Sequence, residues 1–277
     1  MIIVRLMGGL GNQMYQYALG RNLALSSGAE LKLDTSHYKH DPKRTYALNA
    51  FNISAKKLTL SEATLVYLAK NITKRYSYTS HKGTRYDESV FSLQDNIILD
   101  GYWQSEKYFK NIRTILLEDF TLTKPPDTKN QKVLEKIQTG QSVCLHIRRG
   151  DYATNPSTNS FHGLCSMSYY YNALKRLSEN VEGLTVFVFS DDILWARTNL
   201  RIAFPTVFVD INSQEQSFMD MVLMSHCKHF IIANSSFSWW PAWLARYCDK
   251  LVYAPERWFV TKDEGDIVPD EWIRIQG

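Results

Sequence analysis

The chain has no uninterrupted apolar run of the roughly 18–20 residues that a membrane-spanning helix needs. It has no compositionally biased tract and no internal repeat of solenoid length. Cysteine is scarce: Cys144, Cys165, Cys227 and Cys248 are scattered, with no CxxC pair. In a chain of 277 residues this excludes a disulfide scaffold and reads as reduced, cytosolic thiols. The one faintly metal-like cluster, His226-Cys227-Lys228-His229, straddles a helix-to-strand junction with no second ligand pair after it, so zinc is not expected. Charge of one sign is lacking too. Against 28 Asp+Glu stand 32 Lys+Arg, a net +4 that is too mild for nucleic-acid binding but suits a small anionic ligand. Met1–Leu6 is too short for a secretory apolar region and runs straight into glycines. The triplets at Asn52, Asn71-Ile72-Thr73 and Asn234 match the glycosylation pattern, which carries no meaning in a cytosolic protein.

What is present is ordinary globular composition, 44% hydrophobic and 22% charged, which excludes disorder. The length fits one large α/β domain or two of about 130 residues. The first unit starts with an apolar β run, Ile2–Leu6, then Gly8-Gly9-Leu10-Gly11-Asn12. A helix follows with Met14, Tyr17, Ala18 and Leu25 on one face, stopped by Gly28, and Leu31–Leu33 alternates like a strand. Ser61–Lys70 reads as a helix capped by Ser61, and Ile97–Leu99 as a strand. The basic and aromatic stretch from Lys70 to Tyr86, Lys82 included, reads as a solvated loop or one side of a substrate cleft. Lys124-Pro125-Pro126-Asp127 is the best linker. Beyond it, apolar runs at Val143–Ile147, Thr185–Phe189, Thr206–Val209, Phe230–Ala233 and Leu251–Tyr253 alternate with helical patterns. That alternation implies a parallel sheet covered by helices on both faces.

In such sheets the ligand lies beyond the carboxyl ends of the strands. Here those ends are all polar: His146-Ile147-Arg148-Arg149-Gly150-Asp151, Ser190-Asp191-Asp192, Asp210 with Asn212, Asn234-Ser235-Ser236-Phe237-Ser238, and Glu256-Arg257. Two of them suit a diphosphate. Arg148 and Arg149 offer planar forks that match phosphate oxygens. Ser235 and Ser236 open a helix, where free N–H groups and the dipole favour an anion, although serines there also serve as plain caps. Asp191-Asp192 could hold a divalent ion, contact a base or ribose, or cap a helix. Gly9-Leu10-Gly11, with Asp34 after the next strand, imitates a dinucleotide fingerprint. The third glycine position is Met14, too bulky for the close helix–strand contact which that motif requires.

Gly8-Gly9-Leu10-Gly11-Asn12-Gln13-Met14, His146–Tyr152, Phe189–Asp192 and Asn234-Ser235-Ser236-Phe237-Ser238-Trp239-Trp240 occur in that order. Together they resemble the alpha-1,2-fucosyltransferases of glycosyltransferase family 11, over nearly the whole chain and most thinly around residues 35–95. The resemblance implies an α/β, GT-B-like architecture: two Rossmann-like domains with parallel sheets, facing across a cleft. Residues 1–125 would form the acceptor side and 126–277 the GDP-fucose side. It implies a galactoside alpha-1,2-fucosyltransferase that moves fucose, with inversion and without metal or other cofactor, from GDP-β-L-fucose to the 2-hydroxyl of a terminal β-galactose. Another nucleotide-sugar transferase using a metal at Asp191 and Asp192, or a non-catalytic GDP-sugar-binding protein, are the competing readings.

Within the resemblance, Arg148 matches the arginine on the donor diphosphate, with Arg149 beside it. His146 matches a nucleotide contact, Asp191 a carboxylate near the guanine, and Ser235, Ser236 and Phe237 the phosphate-binding turn. Asn12, after Gly11, matches an asparagine facing the reacting sugar. Asp151 could take the acceptor proton or hold Arg149 in place. Trp103 is a candidate border of the acceptor. Trp239 and Trp240 read as packing between the halves rather than sugar platforms. No anchor is seen, so a bacterial, cytoplasmic enzyme is expected, meeting membranes only peripherally through lipid-linked acceptors, with no nucleic-acid partner.

Overall fold

The computed structural model describes residues 1–72, 74–81, 83–93, 95–261 and 265–277, the Lys70 side chain excepted. Thr73 of the second glycosylation-type triplet and Lys82 of the basic, aromatic stretch lie outside the described residues. The chain divides into two compact units, Met1–Lys124 with Gly265–Ile267, and Pro125–Glu264 with Val268–Gly277. The short return of Gly265–Ile267 to the first unit is held by Asp266. Its carboxylate accepts the Tyr86 N–H at 2.6 Å and pairs with the Lys107 ammonium, while its own N–H donates to Thr84 O at 3.2 Å.

The first unit carries a parallel five-stranded sheet of β1 (Ile2–Arg5), β2 (Leu31–Asp34), β3 (Lys56–Lys57), β4 (Ser77–His81) and β5 (Ile97–Gly101), in the order β3-β2-β1-β5-β4. β1 and β5 are buried on both faces, which is why they read as apolar runs rather than alternating ones. Helix α1 (Leu10–Ser27) links β1 to β2 and ends at Gly28, whose φ of +65° is the left-handed conformation of a helix stop. It differs from the expected one-faced helix. It is buried nearly all round from Leu10 to Ala24, polar Gln13, Gln16 and Asn22 included, while Leu25 is 40% exposed. Met14 is core. The close helix–sheet approach is made instead at Gly20, where a Cβ would stand 2.4 Å from Val4 Cγ2 and 2.9 Å from Leu31 Cδ1. Helix α2 (Leu60–Asn71) is capped by Thr59, not Ser61. Thr59 and Glu62 form a reciprocal capping box, and Ser61 already lies inside the helix. A short helix α3 (Arg113–Asp119) closes the unit.

The second unit has a six-stranded parallel sheet: β6 (Gln141–Ile147), β7 (Leu184–Ser190), β8 (Thr206–Phe208), β9 (His229–Ile231), β10 (Val252–Pro255) and β11 (Ile273–Ile275). Its helices are α4 (Thr128–Gln138), α5 (Gly150–Thr154), α6 (Pro156–His162), α7 (Met167–Ser178), α8 (Ile193–Asn199), α9 (Ser217–Ser225) and α10 (Ser236–Leu244). The strand order β11-β10-β9-β6-β7-β8 is that of a doubly wound dinucleotide-fold sheet. It reverses between β6 and β9, and a crevice opens outside the carboxyl ends of strands at such a reversal. The sheet packs Val143, Leu145, Ile147, Val186 and Val188 against Tyr169, Tyr170, Leu174 and Leu177 of α7.

Trp239 and Trp240 are fully buried in this unit's own core. Their rings pack edge-on at 5.1 Å, and Trp239 also meets Trp243 and Trp272. Trp240, Trp243 and Trp272, which pack on Trp239, all belong to the same unit. Among the described residues, no helix is long and apolar enough to cross a membrane.

Candidate active site

At the reversal in the second sheet, the β6–α5 and β9–α10 connections lie side by side, because β6 and β9 pair in parallel. Arg148 follows β6 directly. Its Nη2 donates to Asp151 Oδ1 at 2.6 Å, and its Nη1 lies 3.0 Å from Asp191 Oδ2. Burial alone would favour losing the guanidinium's proton, but Asp191 and Asp151 override it and raise the pKa, so the fork is a fixed cation. Its central carbon lies 5.4 Å from the Tyr152 ring centroid, and the Tyr152 hydroxyl donates to Asn234 O at 3.4 Å. Asn234 precedes the serine turn. The His146 ring, on β6, is 5.6 Å from that of Phe237 on α10. Arg148, His146 and the Ser235–Phe237 turn therefore share one edge of this unit.

The turn is closed by its own hydrogen bonds, the Ser235 N–H donating to Ala233 O at 2.7 Å. Ser235 caps α10, accepting the Phe237 N–H at 3.3 Å, and its carbonyl accepts the Ser238 and Trp239 N–H groups at 3.1 Å. Asn234 is 3% exposed and donates to the carbonyls of His162 (2.7 Å) and Trp258 (3.2 Å), which ties the end of β9 to α6. His146 is 3% exposed. Burial first, and then Arg148, push its pKa down to about 3, so it stands neutral at the edge of the crevice. His162 stacks on Tyr152 at 4.5 Å and is lowered to about 4, mainly by burial.

Some expected members are placed otherwise. Arg149 lies against Trp195: its guanidinium is 3.7 Å from the ring centroid, and Nε is 3.5 Å from Asp192 Oδ2. Asp151 does not hold Arg149; as the second residue of α5 it reaches back three positions to Arg148. Asp192 is a helix cap, accepting the Trp195 N–H at 3.1 Å. Asp191 accepts the Arg149 N–H at 2.8 Å as well as facing Arg148. Asn212 exchanges amide hydrogen bonds with Asn130 and donates to Asp220, whose pKa burial raises to about 6.

In the first unit the strand order also reverses, between β1 and β5. Gly8 (φ +75°) lets the chain turn after β1 and lets Asn12 approach, since a Cβ there would stand 2.6 Å from Asn12 Nδ2. Asn12 Oδ1 accepts from Gln104 Nε2 at 2.9 Å. Gln13 spans the loop, donating to Thr45 O at 2.8 Å and accepting the Ala47 N–H at 2.9 Å. Gln16 accepts the Met7 N–H at 3.0 Å and donates to Gly101 O at 3.1 Å. Gly11 is buried in the first turn of α1. Beyond the carboxyl ends of β1, β4 and β5 lies a cleft of about 530 Å³, lined by Met7, Tyr78, Ser80, His81, Asp100, Gly101 and Tyr102. Trp103 does not line it. It is 1% exposed, at φ +54°, stacked on His81 at 4.8 Å and edge-on to Tyr108. The residue before it, Tyr102, is the exposed ring. Sequence reasoning did not single out Gln13, Gln16, Gln104 or Tyr102, which shape this edge; their signals are that Gln13 stands in the glycine motif, Gln16 two residues beyond it, and Tyr102 and Gln104 on either side of Trp103.

The Glycosyl transferase family 11 model matches residues 1–276. The chain belongs to glycosyltransferase family 11. Among relatives in this family, an alpha-1,2-colitosyltransferase of Escherichia coli is 36% identical, covering 99% of each chain. The O-antigen biosynthesis glycosyltransferase WbnK, also of Escherichia coli, is 34% identical over 98% of this chain and 99% of that one. Galactoside alpha-(1,2)-fucosyltransferase 1 of Saimiri boliviensis boliviensis is 26% identical over 86% of this chain and 63% of its own length. Among solved structures, the NodZ alpha-1,6-fucosyltransferase soaked with GDP-fucose aligns with TM-score 0.51 and 15% identity, over 88% of this chain and 92% of that chain. FUT1 of Arabidopsis thaliana in complex with GDP aligns with TM-score 0.53 and 12% identity, over 93% and 71%. These likenesses show the fold, two parallel-sheet α/β domains of the GT-B-like kind expected for family 11. The family makes the chain a glycosyltransferase.

Proposed function

We propose that the chain transfers L-fucose from GDP-β-L-fucose to the 2-hydroxyl of a terminal β-galactose, with inversion and without a metal. The observation that carries this reading is the Arg148 fork, held between Asp151 and Asp191 beside the amide-rich start of α10. Cleaving the sugar–phosphate bond leaves negative charge on the departing diphosphate. A guanidinium and N–H groups fixed where that charge develops stabilise it without reorganising. His146, neutral and beside Phe237, offers a flat, uncharged contact to the nucleotide. Asp151 is engaged by Arg148, so we assign it to orienting the fork rather than to taking the acceptor proton. In the first unit, Asn12, oriented by Gln104, faces the reacting sugar, and the cleft beside Tyr102 receives the galactose.

A second donor is favoured by one observation: the 36% identical relative is named for colitose, the 3-deoxy analogue of L-fucose. The test is a transfer assay in EDTA, pairing GDP-fucose or GDP-colitose with lactose, N-acetyllactosamine and galactosyl-β1,3-hexosamines, with the linkage read by NMR. Fucose in alpha-1,2 linkage to galactose supports the proposal. Transfer from GDP-colitose alone replaces the donor. Activity abolished by EDTA and restored by a divalent ion overturns the metal-free reading.

A further inference from the structure

The resemblance to family 11 would put Asp191 near the guanine, where a carboxylate reads the base by accepting from its N1–H and 2-amino groups. The geometry gives the side chain other work. Oδ1 accepts the Arg149 N–H at 2.8 Å, and Oδ2 faces Arg148 Nη1 at 3.0 Å. The carboxylate also fills the space beside Gly150, where a Cβ would stand 2.3 Å from Asp191 Oδ2 and 3.2 Å from its carboxyl carbon. Asp151 holds the opposite end of the guanidinium at 2.6 Å. The fork is thus clamped by carboxylates from two elements, one on α5 and one on the β7–α8 turn.

We infer that Asp191 is a positioning residue. It holds the Arg148 fork and the Arg149 amide in the shape that receives the donor phosphates, and residue 150 is glycine because that carboxylate occupies the place of its Cβ. This rests on the reading of a GDP-sugar donor. The Asp191 side chain is about a quarter exposed, so the pair is stabilised by two hydrogen-bonding partners at fixed geometry rather than by deep burial.

The experiment uses the full chain as wild type, Asp191→Asn and Gly150→Ala, with circular dichroism confirming the fold. It measures steady-state transfer, calorimetric binding of GDP and IDP, and the Arg148 Nε–H signal of the ligand-free protein, assigned with Arg148→Lys. Inosine lacks the 2-amino group, so a carboxylate on the base distinguishes the two nucleotides and one on Arg148 does not. Asp191→Asn keeps an acceptor for the Arg149 N–H but loses the charge facing Arg148. We expect kcat to fall about tenfold or more, GDP and IDP affinities to fall by the same factor, and the Arg148 signal to move. Gly150→Ala, whose methyl would press on the Asp191 carboxylate, should reproduce this pattern; if it does not fold, Asp191→Asn alone decides. Selective loss of GDP over IDP, or an Arg148 signal and kcat unchanged in Asp191→Asn, overturns the inference. Failure of wild type to bind either nucleotide counts against the donor reading alone, since the Arg148 signal still reports on the clamp.

Discussion

The two sheets meet their surroundings at the same topological feature, a reversal of strand order, but they furnish it differently. In the second unit the edge is ionic: Arg148 between Asp151 and Asp191, next to the serine-capped start of α10. In the first unit an ion pair, Arg5 with Asp100 at 2.6 Å, joins the ends of β1 and β5, and the glycine turn beside it is tied down by neutral carboxamides, Gln13, Gln16 and Gln104, around a glycine at φ +75°. A diphosphate leaving group calls for a fixed cation, whereas a neutral glycan calls for oriented donors and acceptors, and the proposed division of donor and acceptor between the units follows that contrast.

The largest expected effect strikes the ionic edge. Arg148→Ala should lower kcat by about 10²–10³, the usual result of removing one fixed donor to a developing anion. It also leaves Asp151 and Asp191 facing each other without the cation between them. Steady-state kinetics check this, and transfer within tenfold of wild type would remove Arg148 from the role.

That edge was legible in the sequence because its residues follow strands that read as continuous apolar runs. The parallel pairing then forces His146, Arg148, Asp191 and Ser235 to one side. What each residue does there was not legible. Asp151 stands three residues after Arg148 and two after Arg149, and nothing in the spacing says that it turns to Arg148 while Arg149 stacks on Trp195. The glycine turn was harder to read. Buried glutamines carry no periodic signal, and Gly20 is one of several glycines until its distance to Val4 is known. Trp103 was misplaced because an aromatic residue after a strand can point either way, and only the left-handed backbone at that position sends it into the core.

Gly20→Ala tests whether the glycine turn depends on close packing beneath it. The new methyl would meet Val4 Cγ2 at 2.4 Å, so a loss of about 1–3 kcal/mol is expected, read as a lower urea midpoint. Activity per folded molecule should be preserved. Gln104→Ala removes the hydrogen bond that orients Asn12. At about 0.5–1.5 kcal/mol for one such bond, kcat/KM for the acceptor should fall about tenfold or less, with GDP binding unchanged. A loss of GDP affinity instead would erase the division of labour between the edges.

The smallest effect concerns pH. His146 and His162 are held down to about 3 and about 4, chiefly by burial, against an ordinary value of about 6.5. The unfolded chain therefore binds more protons than the native one in that window. Their contribution is complete above pH 6.5 and is lost as pH falls. Asp220, raised to about 6 by burial, has the opposite sign: its contribution is present at low pH and lost as pH rises through 6. Asp220→Asn should steepen the loss of stability between pH 6 and 4, measured as urea midpoints across that range. A slope equal to wild type would contradict this.

The most direct test is a titration of the amide- and arginine-labelled chain with GDP in the presence of EDTA, followed by NMR. Saturable shifts of the Arg148 Nε–H and of the Ser235–Phe237 amides, with the Gly8–Asn12 amides left in place, are the predicted result. Shifts confined to the glycine turn, or none without a divalent ion, would contradict a metal-free diphosphate grip at the ionic edge.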